Sequence, residues 1–241
     1  MKGLIDIHCH MLPETDDGAR NMKEAVDMLR LAYMNGTRSI ILTPHFHGGR
    51  YVTSKEKILE QYLKFKKIAE KASSSLHIYI GHEINYQQDI VERLRKDELF
   101  TMADSGYILI EFSPGVTFTE IKQGFQQLIF SGYVPILAHA ERYGCLVKEY
   151  ELAEQLVEMG AYIQINAASI TNADNPRVRK FIKRMLGGRL IHLIASDAHD
   201  CQYRTPDMKE AYLYIRKKYG SQLANELLIK NPERILKNEY I

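Results

Sequence analysis

The sequence predicts an α/β fold, a distorted TIM-like (β/α)7 barrel of parallel strands, and three observations carry that reading. Strand and helix patterns alternate from end to end of the 241 residues, as in a parallel sheet wrapped by helices. Seven short apolar runs each end in a polar residue able to hold or orient a metal ion: His8, His45, Glu83, Glu111, His139, Asn166 and Asp197. Scattered core histidines would not fall repeatedly at strand ends, whereas a parallel barrel gathers those ends at one rim. No glycine-rich phosphate loop follows any strand, which puts an open, doubly wound nucleotide-binding sheet second.

The elements follow in order. Leu4 to His8 reads as a buried strand. Asn21 and Glu24 open a helix whose stripe is Ala25, Met28, Leu29, Ala32 and Tyr33, and Gly36 stops it. Ser39 to Thr43 is the second strand. Thr53 and Glu56 resemble a capping box for a helix through about Lys71, before the third strand, His77 to Ile80. A short helix, Gln88 to Arg95, leads to the strand Tyr107 to Glu111. A helix around Phe125, Leu128 and Ile129 precedes the strand Tyr133 to Ala138. The helix Glu149 to Glu158 ends at Gly160, ahead of the strand Ala161 to Ile165. Pro176 to Leu186 is helical up to Gly187–Gly188, and Leu190 to Ala195 is the last strand. Two helices close the chain, Pro206 to Tyr219 and Ser221 to Ile229. No repeat, low-complexity run or linker appears, so residues 1–241 are expected to form one domain.

Composition is that of a globular protein, with 45% apolar and 26% charged residues. A formal charge of +2 gives no reason to expect nucleic acid or a membrane surface as partner. Three cysteines, Cys9, Cys145 and Cys201, are too few and odd in number for a disulfide framework. The N-terminal stretch, interrupted by Asp6 and two histidines, is no signal peptide, and no run spans a bilayer, so a cytoplasmic protein is expected. The nine histidines are the compositional clue.

His8-Cys9-His10 places two imidazoles on one face of a strand end, with Cys9 turned the other way. In Asp16-Asp17-Gly18, a strong turn signal, one aspartate is positioned to fold back onto a metal. His45 ends the second strand; His47, two residues on, reads as a substrate contact or a solvated side chain. Glu83 and Glu111 end apolar strands, where an unpaired carboxylate is costly to bury, and Glu83 is the candidate bridge between two ions. His139 is a further ligand candidate. Arg142, just beyond it, is suited either to clamping an anion or to a salt bridge. Asp197 and His199 offer a carboxylate and an imidazole on one edge, with Arg204 in the same loop. His77 and His192 lie early in strands, at the opposite end, and read as structural.

The donors are mixed imidazole and carboxylate with no evident thiolate, which admits Mn²⁺, Fe²⁺, Mg²⁺ or Zn²⁺ and is enough for two or three ions. Such a cluster suits hydrolysis: one ion lowers the pKa of a bound water while its neighbours neutralise oxygens on the electrophile. Adjacent arginines favour a phosphate substrate over an amide. A cysteine-nucleophile phosphatase would need arginine six positions after its cysteine, but Thr15, Glu151 and Asp207 stand there.

Together, DIHCHMLPETDDG, TPHFHGGRY, GHEI, ILIEF, PILAHAERY, IASDAHD and YRTP resemble the polymerase and histidinol phosphatase (PHP) family. More narrowly, they are similar to the bacterial manganese-dependent protein-tyrosine phosphatases of capsule and exopolysaccharide operons. The pieces run from the first strand past the last. The resemblance implies a distorted PHP-type barrel with three ions at its rim, Mn²⁺ foremost. It assigns His8, His10, Glu83 and Asp197 to one ion. Asp17, His45 and His199 would hold a second, and Glu83, Glu111 and His139 a third. Arg142 and Arg204 would grip phosphate, and Asp197 or His199 would hold water able to supply a proton. The implied substrate is a phosphotyrosine protein, the tail of a bacterial tyrosine kinase. Rival readings are a phosphatase for small esters such as histidinol phosphate, a metal-dependent nuclease or amidohydrolase, and a non-catalytic metal-stabilised scaffold.

Overall fold

The computed structural model describes residues 3–51 and 53–241. In chain order its elements are β1 (Leu4–Cys9), α1 (Met22–Met34), β2 (Thr37–Leu42), β3 (His45–Phe46), α2 (Lys55–Ala72), β4 (His77–Ile80), β5 (Glu83–Asn85) and α3 (Ile90–Arg95). After a 3-10 turn at Met102–Asp104 come β6 (Tyr107–Glu111), α4 (Phe118–Phe130) and β7 (Val134–Leu137). A second 3-10 turn, Ala140–Arg142, leads to α5 (Gly144–Lys148), α6 (Glu151–Glu158), β8 (Tyr162–Asn166), α7 (Ala167–Asn172), α8 (Pro176–Gly187) and β9 (Leu193–Ala195). The chain ends in α9 (Lys209–Tyr219), α10 (Ser221–Asn225), a π-helical turn at Glu226–Lys230 and α11 (Asn231–Leu236).

Local chemistry explains the helix starts. The Asn21 side chain accepts the Glu24 N–H at 3.0 Å, as expected of an N-cap. The cap of α2 is Ser54 and not Thr53, whose hydroxyl instead donates to the Thr15 carbonyl and ties this segment to the first loop. Thr117 and Glu120 form a reciprocal capping box on α4. Asn175 caps α8 ahead of Pro176.

All strand pairs are parallel, in the orders β1-β2-β4 and β3-β5-β6-β7-β8-β9. Among the described residues the nine strands are the expected seven with two of them interrupted. β2 breaks at Thr43–Pro44 before β3, where proline has no N–H for the ladder, and β4 breaks at Gly81–His82 before β5. Across the breaks Gly81 N–H still donates to Leu42 and Glu83 N–H to Pro44. The circuit joins β9 to β1 at the rim, where Asp197 N–H donates to His8 and His10 N–H to Ala198, both at 2.8 Å. Just below, the Asp6 carboxylate accepts from Ser196 N–H at 3.0 Å and from its hydroxyl at 2.5 Å.

The interior of this curled sheet is filled by Ile5, Ile7, Ile41, Tyr107, Leu109, Ile136 and Leu193, each buried. Outside it, helices pack in two further apolar clusters, one with α1 and α2 and one with α4, α6, α8 and α9. Along β6 the inward positions run Tyr107, Leu109, Glu111, and along β8 Tyr162, Gln164, Asn166. Pleat alternation thus delivers polar side chains at the top of an apolar barrel. In β1 a register irregularity between Asp6 and Cys9 resets the alternation. Ile5 and Ile7 face inward, yet His8 and His10 reach the rim cavity while Cys9 packs outward with Met28 and Leu42. Among the described residues no helix is long and apolar enough to cross a membrane.

Candidate metal centre

The nine candidate ligands named from the sequence converge at the C-terminal rim. One group is His8, His10, Glu83 and Asp197, all buried; a second is His10, Asp17, His45 and His199; a third is His45, Glu83 and Glu111. His139 joins through Glu83, with its Nε2 2.7 Å from Glu83 Oε1 and 3.8 Å from Glu111 Oε2. His10 and His45 each belong to two groups, so the clusters are continuous.

Glu83 is the hub. Its Oε2 lies 3.1 Å from His8 Nε2, 3.2 Å from His10 Nε2 and 3.1 Å from His45 Nδ1, yet it makes no well-formed hydrogen bond. Ligands about 2.1 Å from one cation and at right angles to each other sit about 3.0 Å apart. The crowding round Glu83 Oε2 therefore has the spacing of a coordination shell. The buried Nε2 of His199 is likewise without a hydrogen-bond partner, 3.5 Å from Asp17 Oδ1. Orphaned donor atoms that converge on one buried space fit divalent cations.

The surrounding groups fix each imidazole. Gln164 Oε1 accepts the His139 backbone N–H at 2.8 Å, which identifies it as oxygen. His8 Nδ1, 3.1 Å from the same oxygen, must then donate, leaving Nε2 as the free lone pair. Asp16 Oδ2 receives His10 Nδ1 at 2.7 Å and His45 N–H at 2.9 Å. His199 Nδ1 lies 3.0 Å from the Asp197 carbonyl. In the first loop, then, Asp16 orients His10 while Asp17 reaches the cluster. Gly18 permits this fold-back, because a Cβ there would collide with the His10 carbonyl oxygen.

Electrostatics inside the cluster are strongly coupled. Burial pushes the Glu83 carboxyl up, but the charge of His8 and the nearby His10 and His139 hold it well below the usual range. Asp197 behaves similarly, with burial opposed by His8, His10 and Arg142. Burial, reinforced by the charge on His10, pushes His199 down. Two of these residues sit at left-handed backbone, His139 at φ 34° and Asp197 at φ 53°. Such conformations cost about 1 kcal/mol or more in non-glycine residues, and here they aim side chains past the strand ends.

Arg142 and Arg204 flank the cluster half-exposed. Arg142 Nη2 lies 2.6 Å from Asp197 Oδ2 and Arg204 Nη2 2.7 Å from Asp197 Oδ1. Asp200 builds the loop that carries Arg204, accepting N–H groups from Gln202 and Tyr203 at 2.6 Å. Asn166 contributes indirectly: its Nδ2 donates to Asp197 Oδ2 at 2.8 Å, and its Oδ1 accepts from Gln164. His47 stands outside the cluster, paired through its backbone with Tyr51, whose ring stacks on His45. His77 is exposed at the start of β4 and His192 partly buried at the far end.

Sequence reasoning missed Asp6, Gln164 and Asp200, and did not separate the role of Asp16 from that of Asp17. A polar residue midway along an apolar strand, as in Tyr162-Ile-Gln-Ile-Asn166, was the available signal for Gln164. Nothing local distinguishes Asp16 from Asp17.

Comparison with known proteins agrees with this geometry. The family described as capsular polysaccharide synthesis, CpsB/CapC, matches residues 4–237. Tyrosine-protein phosphatase CpsB of Streptococcus pneumoniae is 36% identical, over 99% of this chain and 100% of that protein. A crystal structure from work on YwqE of Bacillus subtilis and CpsB of S. pneumoniae, described as unique metal-dependent tyrosine phosphatases, superposes with a TM-score of 0.91 at 35% identity. It covers 98% of this chain and 96% of that one. A lactonase of Listeria monocytogenes, 12% identical with a TM-score of 0.63 over 98% of this chain and 94% of its own, shares the TIM-barrel-like fold alone. With its full-length identity and its rim of imidazoles and carboxylates, the chain belongs to the CpsB/CapC family of capsular polysaccharide synthesis.

Proposed function

We propose that this chain is a metal-dependent protein-tyrosine phosphatase acting in capsular or extracellular polysaccharide synthesis. One observation carries the reading: five imidazoles and four carboxylates meet at one rim with two arginines beside them, in a chain related end to end to tyrosine phosphatases. His8, His10, Asp17, His45, Glu83, Glu111, His139, Asp197 and His199 would hold two or three divalent cations. The mixed imidazole and carboxylate donors admit Mn²⁺, Fe²⁺, Mg²⁺ and Zn²⁺, and the resemblance to manganese-dependent phosphatases puts Mn²⁺ first for metal add-back. The buried Cys9 thiol, which burial pushes well up, faces away from the donors. When bound, the cations supply an acidified water and positive charge for phosphoryl oxygens.

The chain's own residues do the rest. Arg142 and Arg204 lean on Asp197 and are half-exposed, so an incoming phosphate competes for both guanidiniums at small cost. Their planar forks then stabilise the charge that grows on the equatorial oxygens. Asp197, thereby relieved of both guanidiniums, and His199, held by the Asp197 carbonyl, are placed to hold water that protonates the leaving phenolate. The substrate we infer is a phosphotyrosine segment, such as the tail of a bacterial tyrosine kinase, met in the cytoplasm; nucleic acid is not the substrate.

The test is turnover of 4-nitrophenyl phosphate before and after chelation, followed by add-back of single metals. Loss and metal-specific recovery are expected. Chelator-insensitive hydrolysis would overturn the metal mechanism, and preference for histidinol phosphate or single-stranded DNA over a phosphotyrosine peptide would overturn the substrate.

A further inference from the structure

Several helix cations on this surface are answered by a carboxylate four positions earlier. Lys64 pairs with Glu60, Arg93 with Asp89, Lys96 with Glu92 and Lys237 with Glu233. Helix α8 is different. Its sequence, PRVRKFIKRMLG, holds five cations and no carboxylate. Arg177, Lys180 and Arg184 lie at i, i+3 and i+7, on one face with Phe181. Like charges at such spacings repel, and Arg177 and Arg179 in the first turn also oppose the helix dipole. Among the described residues, Arg177, Lys180 and Lys183 form no ion pair. Arg179 reaches the Ala173 carbonyl, but no carboxylate among the described residues answers the charge of Arg177, Lys180 or Lys183.

That face lines a groove of about 570 Å³ against α5. Lys148 adds a fourth cation, Tyr150 and Phe181 supply aromatic surface, and no carboxylate lines it. The Arg184 guanidinium lies 4.8 Å over the Tyr150 ring. The groove is close to the metal centre along the chain: α5 starts two residues after Arg142, and α8 packs on the 3-10 turn that carries Arg142.

We propose that this groove is a docking site for an acidic segment of the phosphotyrosine protein, engaged while the phosphotyrosine occupies the rim. Resting on the phosphatase reading above, it adds a rule of substrate choice. Concavity and an aromatic floor suit a peptide chain threaded lengthwise more than a flat bilayer. From Arg177 to Arg184 the helix advances about 10 Å, the reach of roughly three extended residues. An extended run of four or more acidic residues, its side chains alternating, would therefore set carboxylates against the α8 cations on one side and Lys148 on the other.

The test compares two phosphotyrosine peptides, one flanked by four glutamates and one by four serines, alongside 4-nitrophenyl phosphate. The acidic peptide is expected to show a KM about tenfold lower at low salt, as three exposed ion pairs would give, fading towards 0.3 M salt. The charge-reversed variant R177E/K180E/R184E should lose that preference and keep aryl phosphate kinetics. The neutral variant R177Q/K180Q/R184Q, matched to wild type by circular dichroism, should do the same. Anisotropy of a fluorescein-labelled, unphosphorylated glutamate peptide reads docking without turnover and should weaken equally in both variants. Equal KM values for the two peptides, or unchanged anisotropy in the variants, would overturn the proposal. So would retention on phosphatidylglycerol vesicles that the variants lose while peptide KM stays put. Absence of aryl phosphate hydrolysis under every metal would sink the phosphatase reading, while the anisotropy result would still decide the groove.

Discussion

Histidines at the two ends of this barrel do opposite work. At the rim, His8, His10 and His199 direct Nδ1 at Gln164, Asp16 and the Asp197 carbonyl, and each leaves Nε2 facing the shared cavity. At the far end, His192 uses Nδ1 as an acceptor for the Ile163 N–H, and burial pushes its pKa down to about 4. His82, although next to Glu83 at the break between β4 and β5, accepts the Phe100 N–H in the same way and is pushed down to about 3, by burial and then by Lys55. One residue type thus serves as donor-oriented ligand or as neutral strut, according to what its Nδ1 meets. An imidazole that gives its Nδ1 proton to an acceptor has a basic lone pair to offer; one that accepts a backbone N–H has already spent it.

Four experiments press on that contrast. The largest effect is expected from Glu83→Gln, which removes the carboxylate that His8, His10, His45 and His139 share. Turnover should fall about 10³-fold or more, with bound metal dropping in elemental analysis. Retained metal stoichiometry would mean that Glu83 is not the hub.

Next, Arg142→Lys and Arg204→Lys should each lower kcat/KM on an aryl phosphate by about 10- to 100-fold without changing metal content, since an ammonium cannot replace a planar fork. Equal loss of metal would assign them to holding Asp197. Gln164→Leu should cost 10–100-fold in metal affinity, roughly what loss of an orienting partner costs elsewhere, because His8 and Asn166 lose their anchor together. Titration calorimetry reads this directly, and an unchanged affinity would detach β8 from the centre.

The smallest effect is pH-dependent and confined to stability. The folded pKa of His192 lies below the ordinary value of 6.5, so its contribution is present above pH 6.5 and is lost as the pH falls towards 4. Between pH 7.5 and pH 4.5 the wild type should lose about 1–2 kcal/mol more than His192→Gln in urea unfolding, with equal turnover at pH 7.5. Parallel pH profiles would remove His192 from the strut class.

The strand ends were legible because hydrophobic runs and their terminal polar residues are local features, and the named ligands sit at those ends or in the loops just past them. The interruptions in the second and third strands were not, although Pro44 and Gly81 mark them, because they matter only through neighbouring ladders. Asp16 and Asp17 differ only in which way a turn points them. Gln164 joins residues 156 and 25 positions away, a relation no window of sequence contains. The break in pleat alternation before His8 was equally hidden, since Ile7 and His8 look like consecutive strand positions until β2 sets the register. The basic face of α8 could have been read directly, because five cations without a carboxylate are visible in one line of sequence.

The seam between β9 and β1 has a consequence for how the protein is made. His8 and His10 leave the ribosome nearly two hundred residues before Asp197 and His199, and the seam cannot form until the later pair has emerged. A growing chain therefore carries only part of a cation trap throughout most of its synthesis. If the rim loads ions as proposed, uptake would become a checkpoint on completion, and a product truncated short of residue 197 would lack the Asp197 and His199 donors.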